Sequence, residues 1–461
     1  MSVGRALAGV AAPIYLALEG FSAFELSLYI VVVALSSAVL STVVGLTSDK
    51  VGRRPYLIAV PLLTAGAAVG FAFTASAPVL FVLGALGSFG RGAGAGAGGA
   101  GPYQPAESAF VTEDLPAERR NAGFGRLTFG SSAGATVGSL LAMLVSSTHV
   151  HAGAATDAFR PAFLAVASTA ALSGLVAVAL VEPRRRPRGR HGGAEPEEAP
   201  VPALDAGLEP DEPALVPVSG RTSPRRGARG ADQLVCQPGV QTARRRLKAH
   251  LPVRSRWLVY RLLTTNLLNG MAVGMFGPFI TYWFFRKFGV GAGEVGTLYA
   301  IINAATMVSS LSAAGLARRW GLVRTVVVVR TAQALLLVPM ALAPTFSLAA
   351  GTYFVRMLVQ RIGLPLRQSY AIALAHPDER SSVAAISNVP SQLVQAGSPL
   401  LTGYLFDEVS LSLPFELASA LQLASAVTFW GFFRNHPPEE ERRQPANPGQ
   451  FITRCLERRR S

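Results

Sequence analysis

The 461-residue chain reads as an all-α membrane protein: twelve transmembrane helices in two pseudo-symmetric six-helix bundles, the first helix short or truncated. Three observations predict this. Half of the residues are hydrophobic (50%) and 15% are charged, with mean hydropathy +0.37, whereas a soluble chain carries about 25% charged residues. The apolar residues gather into runs of about twenty, the helix length that crosses a hydrocarbon core of roughly 30 Å. Short sequence signals also recur in the same places on either side of one long polar segment.

Bounded by charge or proline, the runs fall at 4–18, 25–47, 56–75, 78–102, 123–147 and 160–181, then at 257–285, 294–316, 324–343, 347–374, 383–406 and 413–433. Each reads as a helix because an unsatisfied backbone group in lipid costs several kcal/mol and a helix satisfies its own. The domains follow: a six-helix bundle over 1–182, a cytoplasmic loop over 183–256, a second bundle over 257–434 and a cytoplasmic tail over 435–461. The loop is rich in Pro, Arg, Gly and Glu, as in Arg184-Arg185-Arg186-Pro187-Arg188, and buries too little to offset its chain entropy, so disorder is expected.

Lys and Arg set the orientation. Lys50, Arg53, Arg54, Arg119, Arg120, Arg318, Arg319, Arg324, Arg380 and the central loop share one side, while Arg160, Arg286 and Lys287 lie on the other. Both termini are therefore expected in the cytoplasm, in the inner (plasma) membrane. Most of the net charge of +15 is this topological bias, which argues against a nucleic-acid partner and leaves lipid headgroups as the neighbours of the basic loop. Cys236 and Cys455 both lie in polar segments, which excludes a disulfide framework. No small-residue cleavage site precedes a soluble domain, so a cleavable leader is not expected.

The halves echo each other. Gly45-Leu46-Thr47-Ser48-Asp49-Lys50-Val51-Gly52-Arg53-Arg54 follows span two, and Gly315-Leu316-Ala317-Arg318-Arg319-Trp320-Gly321 follows span eight. Pro116-Ala117-Glu118-Arg119 follows span four, and Pro377-Asp378-Glu379-Arg380 follows span ten. Two parallel halves around a midplane cavity form a transporter architecture.

On these residues the chain resembles the major facilitator superfamily, over everything except the central loop and tail. Gly45-x-x-x-Asp49-x-x-Gly52-Arg53-Arg54 matches that superfamily's signature loop between helices two and three; the second-half copy has Arg319 where Asp49 aligns. The resemblance implies a gating cluster. Gly45 lets two helices approach, Asp49 pairs with a basic group or a helix N-terminus, and Arg53 and Arg54 hold the cytoplasmic face. Arg91 resembles the family's helix-four arginine by its distance from the Pro-x-Glu-Arg turn, without the glutamine and glycine that usually follow. The glycines of Gly130 to Gly138 resemble an antiporter segment of helix five that also has a proline, which is missing here, so exporter status is not claimed.

Ionisable groups at bilayer depth cost at least roughly 2.5–3.5 kcal/mol and are functional suspects. In span ten Arg356, Gln360 and Arg367 share a helical face, with Arg361 slightly off it. Asn388, Gln392 and Gln395 form a stripe on span eleven, Asn266 and Asn269 one on span seven, and Asn303 adds a point on span eight. These groups either line the cavity or, for the amides, join helices and, for the arginines, reach headgroups. Glu107 is the one acid plausibly inside a helix, either a proton-coupling carboxyl or the partner of an arginine.

Fixed positive charge at depth exceeds negative, which leans towards an anionic small-molecule substrate, with protons or another ion as the coupling species. His149 and His151 lack further metal ligands, no nucleotide-binding Gly-x-x-x-x-Gly-Lys-Ser loop is present, and neither an enzyme nor a cofactor is expected. The reading is a monomeric secondary transporter working by alternating access. The alternative is a sensor or scaffold on the same fold, acting through the central loop. From Ala6 to Leu18 the first run is short for a 30 Å core, so either the helix thins the bilayer or the sequence begins inside a longer first helix.

Overall fold

The computed structural model describes residues 1–52, 54–89, 107, 120–145, 155–179, 256–320, 322–374 and 380–434. Within these residues there are thirteen α-helices and no strand. The first half contributes α1 (Ser2–Leu18), α2 (Ala23–Val51), α3 (Arg54–Phe73), α4 (Ala77–Gly87), α5 (Arg120–Leu141) and α6 (Ala155–Ala179). The second contributes α7 (Arg256–Phe276), α8 (Ile280–Phe288), α9 (Ala292–Trp320), α10 (Leu322–Leu342), α11 (Phe346–Leu374), α12 (Arg380–Glu408) and α13 (Leu413–Phe433). The central loop up to residue 255 and the tail from 435 lie outside the described residues, and Arg256 already belongs to α7.

Local chemistry explains the helix ends. Ser22 caps α2: its Oγ accepts from the Glu25 N–H at 3.1 Å, and Glu25 Oε2 accepts from the Ser22 N–H at 2.9 Å, a reciprocal box. Gly52, at φ 110°, ends α2 in a conformation that a Cβ would strain, so the turn into α3 requires glycine there. Arg54 Nη2 donates to the Val178 carbonyl at the end of α6, and Arg261 Nη1 donates to the Phe432 carbonyl at the end of α13 at 3.0 Å. Each cation meets the negative end of a helix dipole.

Two predicted spans are interrupted. Span four leaves the helix at Ser88, whose φ is 55°, and residues 90–106 lie outside the described set. Span seven is two helices, because Pro278 has no N–H to donate and Gly277-Pro278-Phe279 forms a turn between α7 and α8.

Helix pairing repeats between the halves. With α7 and α8 counted as span seven, the first-half pairs 3–6, 1–5, 1–6, 2–4 and 3–4 recur as 9–12, 7–11, 7–12, 8–10 and 9–10. The halves meet mainly along two seams, α2 with α12 and α5 with α9, which adding six to each span exchanges, and α1 also touches α8 and α9. Among the described residues four helices, α2, α3, α6 and α10, are long and apolar enough to cross a membrane by length and composition, with mean hydropathy of 1.8 to 2.2. α1 is buried along most of its length from Gly4 to Leu16 and has 17 residues, or about 26 Å of helix. Around it Tyr15, Phe71, Phe159 and Phe163 pack at centroid distances of 5.1–6.2 Å.

Candidate functional site

The seams between the halves are built at the end of the bundle that carries the 19–22 turn. At the start of α2 the backbone N–H groups of Ala23 and Phe24 donate to Asp407 Oδ1 and Oδ2, at 3.0 and 2.8 Å, near the end of α12. Asp407 thus holds the positive N-terminus of a helix from the other half. Gly403, one turn back, sits so close that a Cβ would come within 2.6 Å of the Ala23 carbonyl. On the second seam Gly296 of α9 faces Ser139 of α5, where a Cβ would meet the carbonyl at 2.4 Å. Both seams are backbone-close at this end, which leaves room for no larger side chain.

Inside the second half, α7, α8, α9 and α11 carry a group of buried polar side chains. Thr281 Oγ1 and Tyr299 Oη are 2.9 Å apart and buried, and the Tyr299 ring lies 6.2 Å from that of Tyr353. One turn further along α11, Arg356 is fully buried. Its Nε, Nη1 and Nη2 have no hydrogen-bond partner among the described residues. The guanidinium carbon lies 4.0 Å from the centroid of the Phe276 ring, the last residue of α7 before the break. A desolvated cation–π contact supplies about 2 kcal/mol, less than the several kcal/mol that dehydrating an unpaired guanidinium costs. Asn303 is buried one turn after Tyr299 on α9, and Asn266 is buried on α7, where its carbonyl accepts from Ser391 Oγ at 2.7 Å.

The remaining expected residues scatter. Asn269, Gln360 and Arg361 are half-buried, whereas Gln392 and Gln395 are exposed on α12. The Gln395 backbone packs against Gly274 of α7, where a Cβ would meet its carbonyl at 2.4 Å. Arg91 and Arg53 lie outside the described residues, as do the side chains of Gly45, Asp49, Asn388 and Arg367, although Gly45, Asp49, Asn388 and Arg367 are all helical. Glu107 is half-buried, within electrostatic reach of the Met1 amino group and Arg5.

Sequence reasoning missed one cluster. Arg330 of α10 is buried, donates to Ser425 Oγ of α13 at 2.8 Å and lies 5.1 Å from the Phe429 ring centroid. Ser425 Oγ donates to the Thr265 carbonyl at 2.9 Å, and Ser419 Oγ donates to the Ala334 carbonyl at 2.8 Å. Gln422 Nε2 donates to Gln333 Oε1 at 3.4 Å. The available signal was a polar residue once per turn on two spans that otherwise read as apolar: Arg330 and Gln333 on α10, and Ser419, Gln422 and Ser425 on α13.

The family model of the Major Facilitator Superfamily matches residues 1–359 and 262–460. The chain belongs to this superfamily. It is accordingly a multi-pass membrane protein with the twelve-helix, two-bundle fold of the superfamily. A search of curated proteins finds no match. Among solved structures the chain is similar to a D-xylose-proton symporter, at 13% identity and TM-score 0.64, covering 94% of this chain and 96% of that one. The nucleoside transporter NupG is similar at 11% identity and TM-score 0.63, with 94% and 97% covered. A bacterial homologue of the human lysosomal transporter Spinster, inward-facing and unoccupied, matches at 13% identity and TM-score 0.58, with 94% and 92% covered. At these identities the likeness is one of fold.

Proposed function

We propose that this superfamily member is a secondary active transporter that carries a small anionic solute across the inner membrane by alternating access, coupled to an ion. The observation that supports it most is Arg356, a fully buried cation of α11 whose three side-chain nitrogens have no partner among the described residues. A purely structural cation at that depth would be paired, so its counter-charge is expected to arrive with the solute. The seams at the 19–22 end fit a carrier closed on that side, and the likeness in fold to a proton symporter and a nucleoside transporter fits the same reading. The gating cluster Gly45, Asp49, Gly52, Arg53 and Arg54 would stabilise the opposite state, and Glu107 is the candidate proton carrier.

The test is uptake into proteoliposomes of radiolabelled succinate, acetate, inorganic phosphate and D-xylose, with the full chain and with a variant lacking 183–255. Uptake of an anion that survives loop removal is the expected result. Loss of an output on loop deletion, with no uptake by either form, would favour the sensor reading.

A further inference from the structure

We infer that Arg356 is the oxyanion-binding group of the carrier and that Phe276, hinged on the Gly277-Pro278 break, is a shutter that covers it in this conformation. The inference rests on the transporter reading and deepens it. It starts from the distribution of charge. Between residues 257 and 434 the acids are Glu294, Asp378, Glu379, Asp407, Glu408 and Glu416. Glu294 and Glu416 lie in the first turns of α9 and α13, Asp407 and Glu408 end α12, and Asp378 and Glu379 fall between α11 and α12. The second half therefore has no carboxylate at mid-span, while Arg356 lies ten residues, about 15 Å, into α11. No carboxylate of the second half lies at its level to neutralise it.

The guanidinium fork is matched to a carboxylate or a phosphate, which accepts two parallel N–H bonds from Nη1 and Nη2 or from Nε and one Nη. In this conformation the Phe276 ring covers the guanidinium, with its centroid 4.0 Å from the guanidinium carbon. Phe276 is the last residue of α7, and the turn after it carries a glycine and a proline rather than a continuous ladder of hydrogen bonds. A small rotation of the end of α7 against α8 therefore moves the ring without breaking a regular helix. The hydroxyls of Thr281 on α8 and Tyr299 on α9 are 2.9 Å apart, and the Tyr299 ring packs on that of Tyr353, one turn before Arg356 on α11. Ring and anion compete for one cation, so the aromatic contact keeps the site dry and closed until a stronger partner displaces it.

Competition makes a prediction that a merely structural contact does not. The full chain in detergent is titrated with succinate, acetate, inorganic phosphate and D-xylose, reading the shift in unfolding midpoint, for the wild type and for Arg356→Gln, Arg356→Lys and Phe276→Leu. At least one oxyanion is expected to stabilise the wild type and xylose is not, and which anion does so separates a carboxylate from a phosphate substrate. Arg356→Gln is expected to weaken that anion roughly tenfold or more, and Arg356→Lys to keep part of the affinity. Phe276→Leu, which removes the competing ring and keeps apolar bulk, is expected to tighten it roughly threefold or more. Unchanged anion affinity in Arg356→Gln, unchanged or weaker affinity in Phe276→Leu, or no stabilisation of the wild type by any of the three anions would overturn the inference. Its failure is distinct from failure of the transporter reading. Uptake of xylose alone would leave a carrier without this site, and Arg356-dependent anion binding without uptake would leave the site without transport.

Discussion

Two arginines in the second half, Arg330 and Arg356, are both buried in helices and both lie against a phenylalanine ring, yet their surroundings differ. Arg330 donates to Ser425, which in turn is anchored on the α7 backbone, with the Gln333–Gln422 amide pair beside it. Arg356 has a ring over it and no side-chain hydrogen bond among the described residues. The first arrangement joins three helices; the second holds a charge in reserve. Burial alone does not separate a structural cation from a functional one, whereas the state of its hydrogen bonds does.

The same substitution at both positions is the sharpest test of that contrast. Arg330→Gln should lower stability by about 2 kcal/mol, because it removes the charged hydrogen bond to Ser425 that joins α10 to α13, and thermal unfolding in detergent should show a lower midpoint. Arg356→Gln should leave stability unchanged or raise it by about 1 kcal/mol, since it discards an unpaired buried charge, while anion transport is lost. A fall in stability of similar size for both would erase the contrast.

A smaller effect is expected at the seam between the halves. Asp407→Asn removes the carboxylate from the α2 N-terminus, worth about 1 kcal/mol or less, and should favour opening at that end. The readout is the labelling rate of a cysteine placed at the buried Ser27, in a chain whose Cys236 and Cys455 are serine, with a membrane-impermeant thiol reagent. Labelling should rise severalfold, with the Arg330 seam unaffected because it lies within one half; an unchanged rate would remove Asp407 as a latch. Least affected in folding should be Asp49→Asn, which is expected to slow transport at near-normal expression. Unchanged flux would end its gating assignment.

Much of this architecture is written in local patterns. The Ser22–Glu25 box, the glycine turn at Gly52, the apolar runs and the six-span echo are all short-range signals. Arg356 was legible because a charge inside an apolar run stands out by itself. The break in span seven was also present as Gly277-Pro278, but the run of apolar residues across it made one long helix of two. The Arg330 cluster was not read because each member is one polar residue in a different apolar turn, and its partner lies 95 residues away. Only packing α10 against α13 turns such isolated residues into a network. In the same way, nothing within α2 announces that a carboxylate from α12 completes its N-terminus, 384 residues on.

Counterflow in proteoliposomes tests the central claim most directly. Vesicles holding equal amounts of wild type or Arg356→Gln are loaded with the unlabelled anion that stabilises the wild type and diluted into a trace of the labelled form. Counterflow needs no coupling ion gradient, so it reads substrate exchange alone. The account predicts transient accumulation of label by the wild type and none by Arg356→Gln, at matched folding of the two proteins. Equal accumulation by both would contradict it.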